Sequence, residues 1–255
     1  MLIYLGKRRQ EKAMGYVVDF CPICRELTEF KLSKINDPDL SYGIPLATGA
    51  TVGYLRECVD CQTFMHADPI RYAAFANRSR TAAIKTLAEA TFPRAYKYHG
   101  KRLQLEKLIR QSPHTIEEKL RVELVAESFE TLAPIVERRM SHFYLDTQML
   151  IVAVLGLLAI FVLPSYLGLL SSSLAENQST VSLVLALIFS AILGWQWKTA
   201  PRRYIRNAIY PRIAKALKIL EPSEDELSFA LGIAKRDGKH IGKLARMDEL
   251  MHLFH

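Results

Sequence analysis

The chain is polar and mixed over its first 146 residues and then turns apolar twice in quick succession. From Thr147 to Leu170 it reads TQMLIVAVLGLLAIFVLPSYLGLL, and from Ser179 to Trp197 it reads STVSLVLALIFSAILGWQW, neither with a charged residue. A hydrocarbon core about 30 Å thick takes roughly 20 apolar residues at a helical rise of 1.5 Å, so each run is long enough to cross it. Soluble core helices are rarely apolar on every side for so long. The intervening SSSLAENQ (Ser171 to Gln178) is short and polar, which predicts an antiparallel helical hairpin.

Upstream, GYVVDF (Gly15 to Phe20) and TVGYLRE (Thr51 to Glu57) are strand-like. Helical patterns follow. Asp68-Pro69 reads as an N-cap and first helical position, with IRYAAFANR continuing the helix. Further helices are predicted over Thr81 to Phe92 and Arg94 to Gln111, the latter divided at Gly100. Thr115 with Glu118 has the spacing of a capping box and opens an amphipathic run through Ile116, Leu120, Leu124, Phe129 and Leu132, which Pro134 is expected to bend. Beyond the second apolar run, Lys198 to Leu220 is basic with recurring aliphatic and tyrosine positions, the pattern of a segment lying along an anionic headgroup surface, broken at Pro201 and Pro211. Ser223 with Glu226 gives a second capping box ahead of the last helices.

Charge turns these elements into a topology. The 255 residues hold 34 Lys and Arg against 26 Asp and Glu, a net charge of +8. Before the first apolar run the counts are 22 against 18, and after Trp197 they are 12 against 7, while the connecting loop has only Glu176. Arg138 and Arg139 on one side, and Lys198, Arg202, Arg203, Arg206, Arg212 and Lys215 on the other, therefore place both termini in the cytoplasm by the positive-inside rule. The expected location is the inner (cytoplasmic) membrane. About 146 residues precede the first run, so it is not an N-terminal signal peptide. Trp195 and Trp197 fall where aromatic anchors favour the headgroup boundary.

Within the second run Ser182, Ala186, Ser190 and Gly194 recur every fourth residue, and Ala153, Gly156 and Ala159 offer a weaker small face in the first. Such faces allow close helix approach, either inside the hairpin or between two copies of the chain. Pro164 is expected to kink the first run near its outer end. Neither run contains Asp, Glu, Lys, Arg or His, the residues that mark ion and proton pathways, which argues against a transporter or channel.

All four cysteines form two C-x-x-C pairs, Cys21-Pro-Ile-Cys24 and Cys58-Val-Asp-Cys61. Four thiolates in paired turns suit a tetrahedral structural Zn²⁺ in a reducing compartment. The spacer from Arg25 to Glu57 is 33 residues, longer than the commonest zinc pattern of about 15–20. A thioredoxin-like redox pair would need one C-x-x-C opening a helix in a βαβ unit, and iron is a further alternative to zinc. His66 is close to the second pair but is not needed by a site that four cysteines fill.

The opening LIYLGKRR, the strand ending in CPIC, the YGIPLATG segment (Tyr42 to Gly49) and the closing YLRECVDC resemble the N-terminal zinc-ribbon domain of many bacterial membrane proteins. The resemblance covers about residues 1–65. It implies a zinc-binding β ribbon without catalytic activity, with Cys21, Cys24, Cys58 and Cys61 as ligands. The sequence departs from that pattern at Arg25 and Gln62, where a knuckle glycine is common.

These readings combine into a mainly α protein: a zinc ribbon (1–67), a cytoplasmic helical region (68–146), a two-span transmembrane hairpin (147–197), and a basic juxtamembrane and C-terminal helical region (198–255). No phosphate loop, nucleophile elbow, kinase signature or dinucleotide fingerprint is present. Glu117, Glu123, His99 and His114 read as solvated faces and turns, so no catalytic residue is nominated. Between Cys24 and Cys58 the acidic residues slightly outnumber the basic ones, which disfavours nucleic-acid binding through the ribbon. The expected function is a non-enzymatic adaptor or assembly factor docking a protein partner at the bilayer, with a membrane-tethered nucleic-acid-binding protein as the alternative.

Overall fold

The computed structural model describes residues 10–37, 40–41, 44–45, 49–77, 83–141, 147–162, 166 and 178–254. The opening LIYLGKRR, most of Tyr42 to Gly49, Pro164 and most of the SSSLAENQ connection lie outside the described residues. The protein is mostly helical with a small antiparallel sheet. It divides into a unit of residues 1–135 and 210–255 and a second unit of residues 136–209.

In the first unit the strands β1 (Gln10–Cys21), β2 (Glu26–Asp37), β5 (Ala50–Cys58) and β6 (Phe64–His66) form one sheet in the order β1-β2-β5-β6. Two short strands, β3 (Leu40–Ser41) and β4 (Ile44–Pro45), pair separately. The register sets Cys21 opposite Glu26 and Cys58 opposite Phe30, which brings both cysteine turns to one end of the sheet. There Val17, Val18, Asp19 and Phe20 are consecutively buried, so both faces of β1 are covered rather than one.

Residues 72–77 cover β1. The predicted helix after Asp68 stops after one 3₁₀ turn, Pro69–Arg71, capped by the Asp68 carboxylate on the Ile70 N–H. The chain then runs extended, and Ala76 exchanges two backbone hydrogen bonds with Tyr16, at 2.8 and 2.9 Å. This approach explains Gly15, whose φ is +146° and whose place a Cβ would bring to 2.8 Å from the Ala76 carbonyl oxygen.

The helices α1 (Ile84–Thr91), α2 (Ala95–Tyr98), α3 (Gly100–Gln111) and α4 (Glu118–Met140) follow, with the expected break at Gly100. The α4 stripe of Leu124, Phe129 and Leu132 is buried, and Pro134 lies inside the helix. The capping box expected at Thr115 does not form. Pro113 starts a 3₁₀ turn instead, and the Thr115 hydroxyl donates to the Ser112 carbonyl at 2.8 Å.

In the second unit α5 (Thr147–Phe161) packs against α6 (Gln178–Tyr204). Phe189 of α6 fills the space left by Gly156 of α5, where a Cβ would collide with its ring. Ser182 and Ala186 are half-buried, and Ser190 and Gly194 are exposed. The helical run Ser179–Leu217 is long and apolar enough to cross a membrane, with none of its most apolar stretch buried; Gln148–Phe161 is a shorter apolar helix.

Pro201 and Pro211 do not break the chain as the sequence suggests. Pro201 lies inside α6, and a π turn over Ile205–Ile209 leads directly into α7 (Tyr210–Leu217). Pro211 has no N–H for an i→i−4 bond and its ring crowds the carbonyl four residues back; the wider turn just before it absorbs both demands. Nor is the aliphatic face of α7 free for headgroups: Tyr210, Ile213, Ala216 and Leu217 are buried in the first unit. That unit closes with α8 (Glu224–Arg236), α9 (His240–Leu244) and α10 (Met247–Met251), and the capping box of Ser223 with Glu226 forms as expected.

Candidate metal centre

The two C-x-x-C turns are built alike. In the first, joining β1 to β2, the Arg25 N–H donates to the Cys21 carbonyl at 2.7 Å; in the second, joining β5 to β6, the Gln62 N–H donates to the Cys58 carbonyl at 2.9 Å. Closing so tight a turn needs a left-handed residue, and Arg25 (φ 59°) and Gln62 (φ 55°) adopt that conformation at the two positions where a glycine is common. The departures noted in the sequence therefore change the residue and not the geometry.

The four sulfur atoms lie within 4.8 Å of one another, with Cys21 Sγ 3.5 Å from Cys61 Sγ and Cys24 Sγ 3.7 Å from Cys58 Sγ. These are not disulfides. Metal–sulfur bonds of about 2.3 Å in a tetrahedron require sulfur–sulfur edges of about 3.8 Å, so the spacing suits a tetrahedral ion of zinc size. All four cysteines are buried, leaving no side open for a substrate. Supporting contacts come from the Cys24 N–H, 3.4 Å from Cys21 Sγ, and from the Thr28 and Thr63 hydroxyls, each 3.2 Å from Cys58 and Cys61 respectively.

Four thiols this close cannot ionise alike. Hydrogen bonds from the other sulfurs, Cys21 first, hold the Cys58 thiol far below its ordinary range, and those from Cys21 and then Cys24 lower Cys61 to about 7, while the Cys21 thiol, chiefly through its bond with Cys24, is driven up. A divalent cation removes the conflict by accepting all four thiolates. Neither pair opens a helix, as a thioredoxin-like pair would. His66, on β6, is exposed and outside the cluster.

Around the sulfurs lies a cationic collar that the cysteine pattern gave no hint of. The buried Arg25 guanidinium pairs with Glu106 of α3 and donates from Nη1 to the Ala216 carbonyl of α7 at 3.2 Å. In return, Arg212 Nε of α7 donates to the Cys61 carbonyl at 2.9 Å. Lys215 of α7 faces Cys24: burial lowers its pKa, but the charge of Cys24 and a hydrogen bond to it raise it further, for a net rise. The one sequence clue was an arginine in place of a knuckle glycine.

A second buried cluster fastens the helical region to the ribbon. Asp19 accepts from the Phe20 N–H at 2.8 Å, the Tyr72 hydroxyl at 2.7 Å, His99 Nε2 at 2.7 Å and the Arg56 guanidinium. His99, expected on a solvated turn, is instead packed among Phe20, Phe92 and Tyr98. Glu117 and Glu123 are exposed, as expected. Neither family models nor curated proteins nor solved structures yield a match to the chain.

Proposed function

We propose that this chain is a membrane-anchored, non-enzymatic adaptor or assembly factor whose cytoplasmic ribbon holds a structural zinc ion and docks a protein partner at the bilayer. The supporting observation is the closed set of four buried cysteines at tetrahedral spacing, which suits a folding metal and offers no open coordination position. The reading of the N-terminal sheet as a zinc ribbon draws on its two cysteine turns meeting at one end of the sheet. Anchoring rests on the apolar helix within Ser179–Leu217. Together with α5 and the apolar residues that follow it to Leu170, it makes a two-span hairpin with both ends cytoplasmic. Ser190 and Gly194, exposed on α6, are where a second copy of the chain would pack.

The purified chain is expected to carry one zinc, and crosslinking in intact membranes to retrieve a protein that is lost after chelation. Partner capture and ribbon structure that both survive chelation would refute the proposal. A second reading, binding of nucleic acid, draws on one segment: Arg94, Tyr96, Lys97, Tyr98 and Lys101 are all exposed, with aromatics interleaved among cations. Binding that weakens steeply with salt would favour it, and no binding at low salt would remove it.

A further inference from the structure

We infer that the metal centre is also the clasp that docks α7 onto the ribbon, so that metal occupancy governs whether the segment after the membrane helix is held. This rests on the reading of the four cysteines as a metal site. The polar ties described between α7 and the ribbon start in the cysteine turns: Arg25 to the Ala216 carbonyl, and the Cys61 carbonyl to Arg212.

Both ties depend on the shape of the turns. Arg25 reaches Ala216 from a left-handed backbone that is costly for any residue but glycine, and Cys61 presents its carbonyl from the turn closed by left-handed Gln62. A bound divalent cation holds the turns closed by bonding both cysteines of each. Without it, no common centre ties the two cysteines of each turn together, the turns relax, and the two arginine contacts go with them. A metal held by four thiolates carries two net negative charges, which the guanidinium of Arg212, bound to the Cys61 carbonyl, faces from α7.

The rest of the C-terminal module has an independent anchor. Arg121 of α4 pairs with Glu226 of α8 at 2.8 Å and donates to the Leu220 carbonyl at 3.0 Å. Metal loss should therefore loosen α7, left with its buried apolar face alone, while α8 stays docked, a local opening distinct from unfolding of the unit.

The test is amide hydrogen exchange on the full-length chain in lipid nanodiscs, zinc-loaded and after chelation, with native mass spectrometry counting the metal. One zinc per chain is expected, and its removal should speed exchange over Tyr210–Leu217 by about tenfold or more while Glu224–Arg236 keeps its protection. Arg212→Ala should loosen α7 with the zinc still bound, and Lys218→Ala, at an exposed position just past α7, should not. Unchanged α7 exchange in a chain that demonstrably loses its zinc overturns the clasp and leaves the metal site standing, as does simultaneous deprotection of α7 and α8. A chain that binds no metal overturns the metal reading and the clasp with it.

Discussion

Arg25 and Glu106 form a two-pronged ion pair inside the protein, Nε to Oε2 at 2.7 Å and Nη2 to Oε1 at 3.2 Å, with 1% and 4% of their side chains exposed. Arg102 also binds Glu106 Oε1, at 2.9 Å, so one carboxylate serves two guanidiniums. Removing Glu106 strands a buried cation. Glu106→Ala is expected to cost about 3–5 kcal/mol in chemical unfolding of the zinc-loaded chain, and the double variant Arg25→Gly with Glu106→Ala markedly less than the two single losses added together.

The two left-handed turn residues should respond oppositely to glycine. Gln62 is exposed, so Gln62→Gly relieves backbone cost without losing a buried contact and is expected to stabilise the zinc-loaded chain by about 1 kcal/mol. Arg25→Gly relieves the same cost but leaves Glu106 buried without one of its partners and the Ala216 carbonyl without its donor, so its net effect is destabilising. Paired denaturation curves decide the contrast.

The strands and knuckles are legible because runs of β-branched and aromatic residues and C-x-x-C spacing are local signals, and the Ser223 box forms because its two residues cap each other. Where the sequence misled, a distant partner had overridden a local pattern. IRYAAFANR has helical spacing, but Tyr72 is drawn to Asp19 and Ala76 to Tyr16. Pro211 signals a break only if the turn before it is α-helical, and it is a π turn. His99 gave no sign of burial because Asp19 lies 80 residues earlier in the chain.

Acid should weaken the Asp19 cluster. The His99 imidazole binds Asp19 and packs among Phe20, Phe92 and Tyr98; burial first, then the Arg56 and Arg71 charges, lower its pKa from 6.5 to about 4. A histidine whose folded pKa lies below its unfolded value binds its proton more readily when unfolded, so its contribution is fully present above about 6.5 and is lost as pH falls toward about 4. Stability of the native chain is expected to fall faster between pH 7 and 5 than that of His99→Gln. Parallel slopes for the two would contradict it, and comparing two chains with the same cysteines cancels acid effects on the cysteine cluster.

Two glycines separate packing within the apolar unit from contact between copies. Gly156 meets the Phe189 ring, so Gly156→Val must push α5 away from α6 and is expected to cost about 1–3 kcal/mol, read as a lower midpoint when the detergent-solubilised chain is unfolded with SDS. Gly194 has nothing within 4 Å of an added Cβ, so Gly194→Val should leave that midpoint nearly unchanged. Its effect is expected instead in crosslinked dimer yield, because Ser190 and Gly194 are exposed where a close helix–helix contact would need small residues. If Gly194→Val leaves dimer yield unchanged, this face is not used between copies, and the spacing of Ser182, Ala186, Ser190 and Gly194 reduces to the half-buried contacts of its first two members.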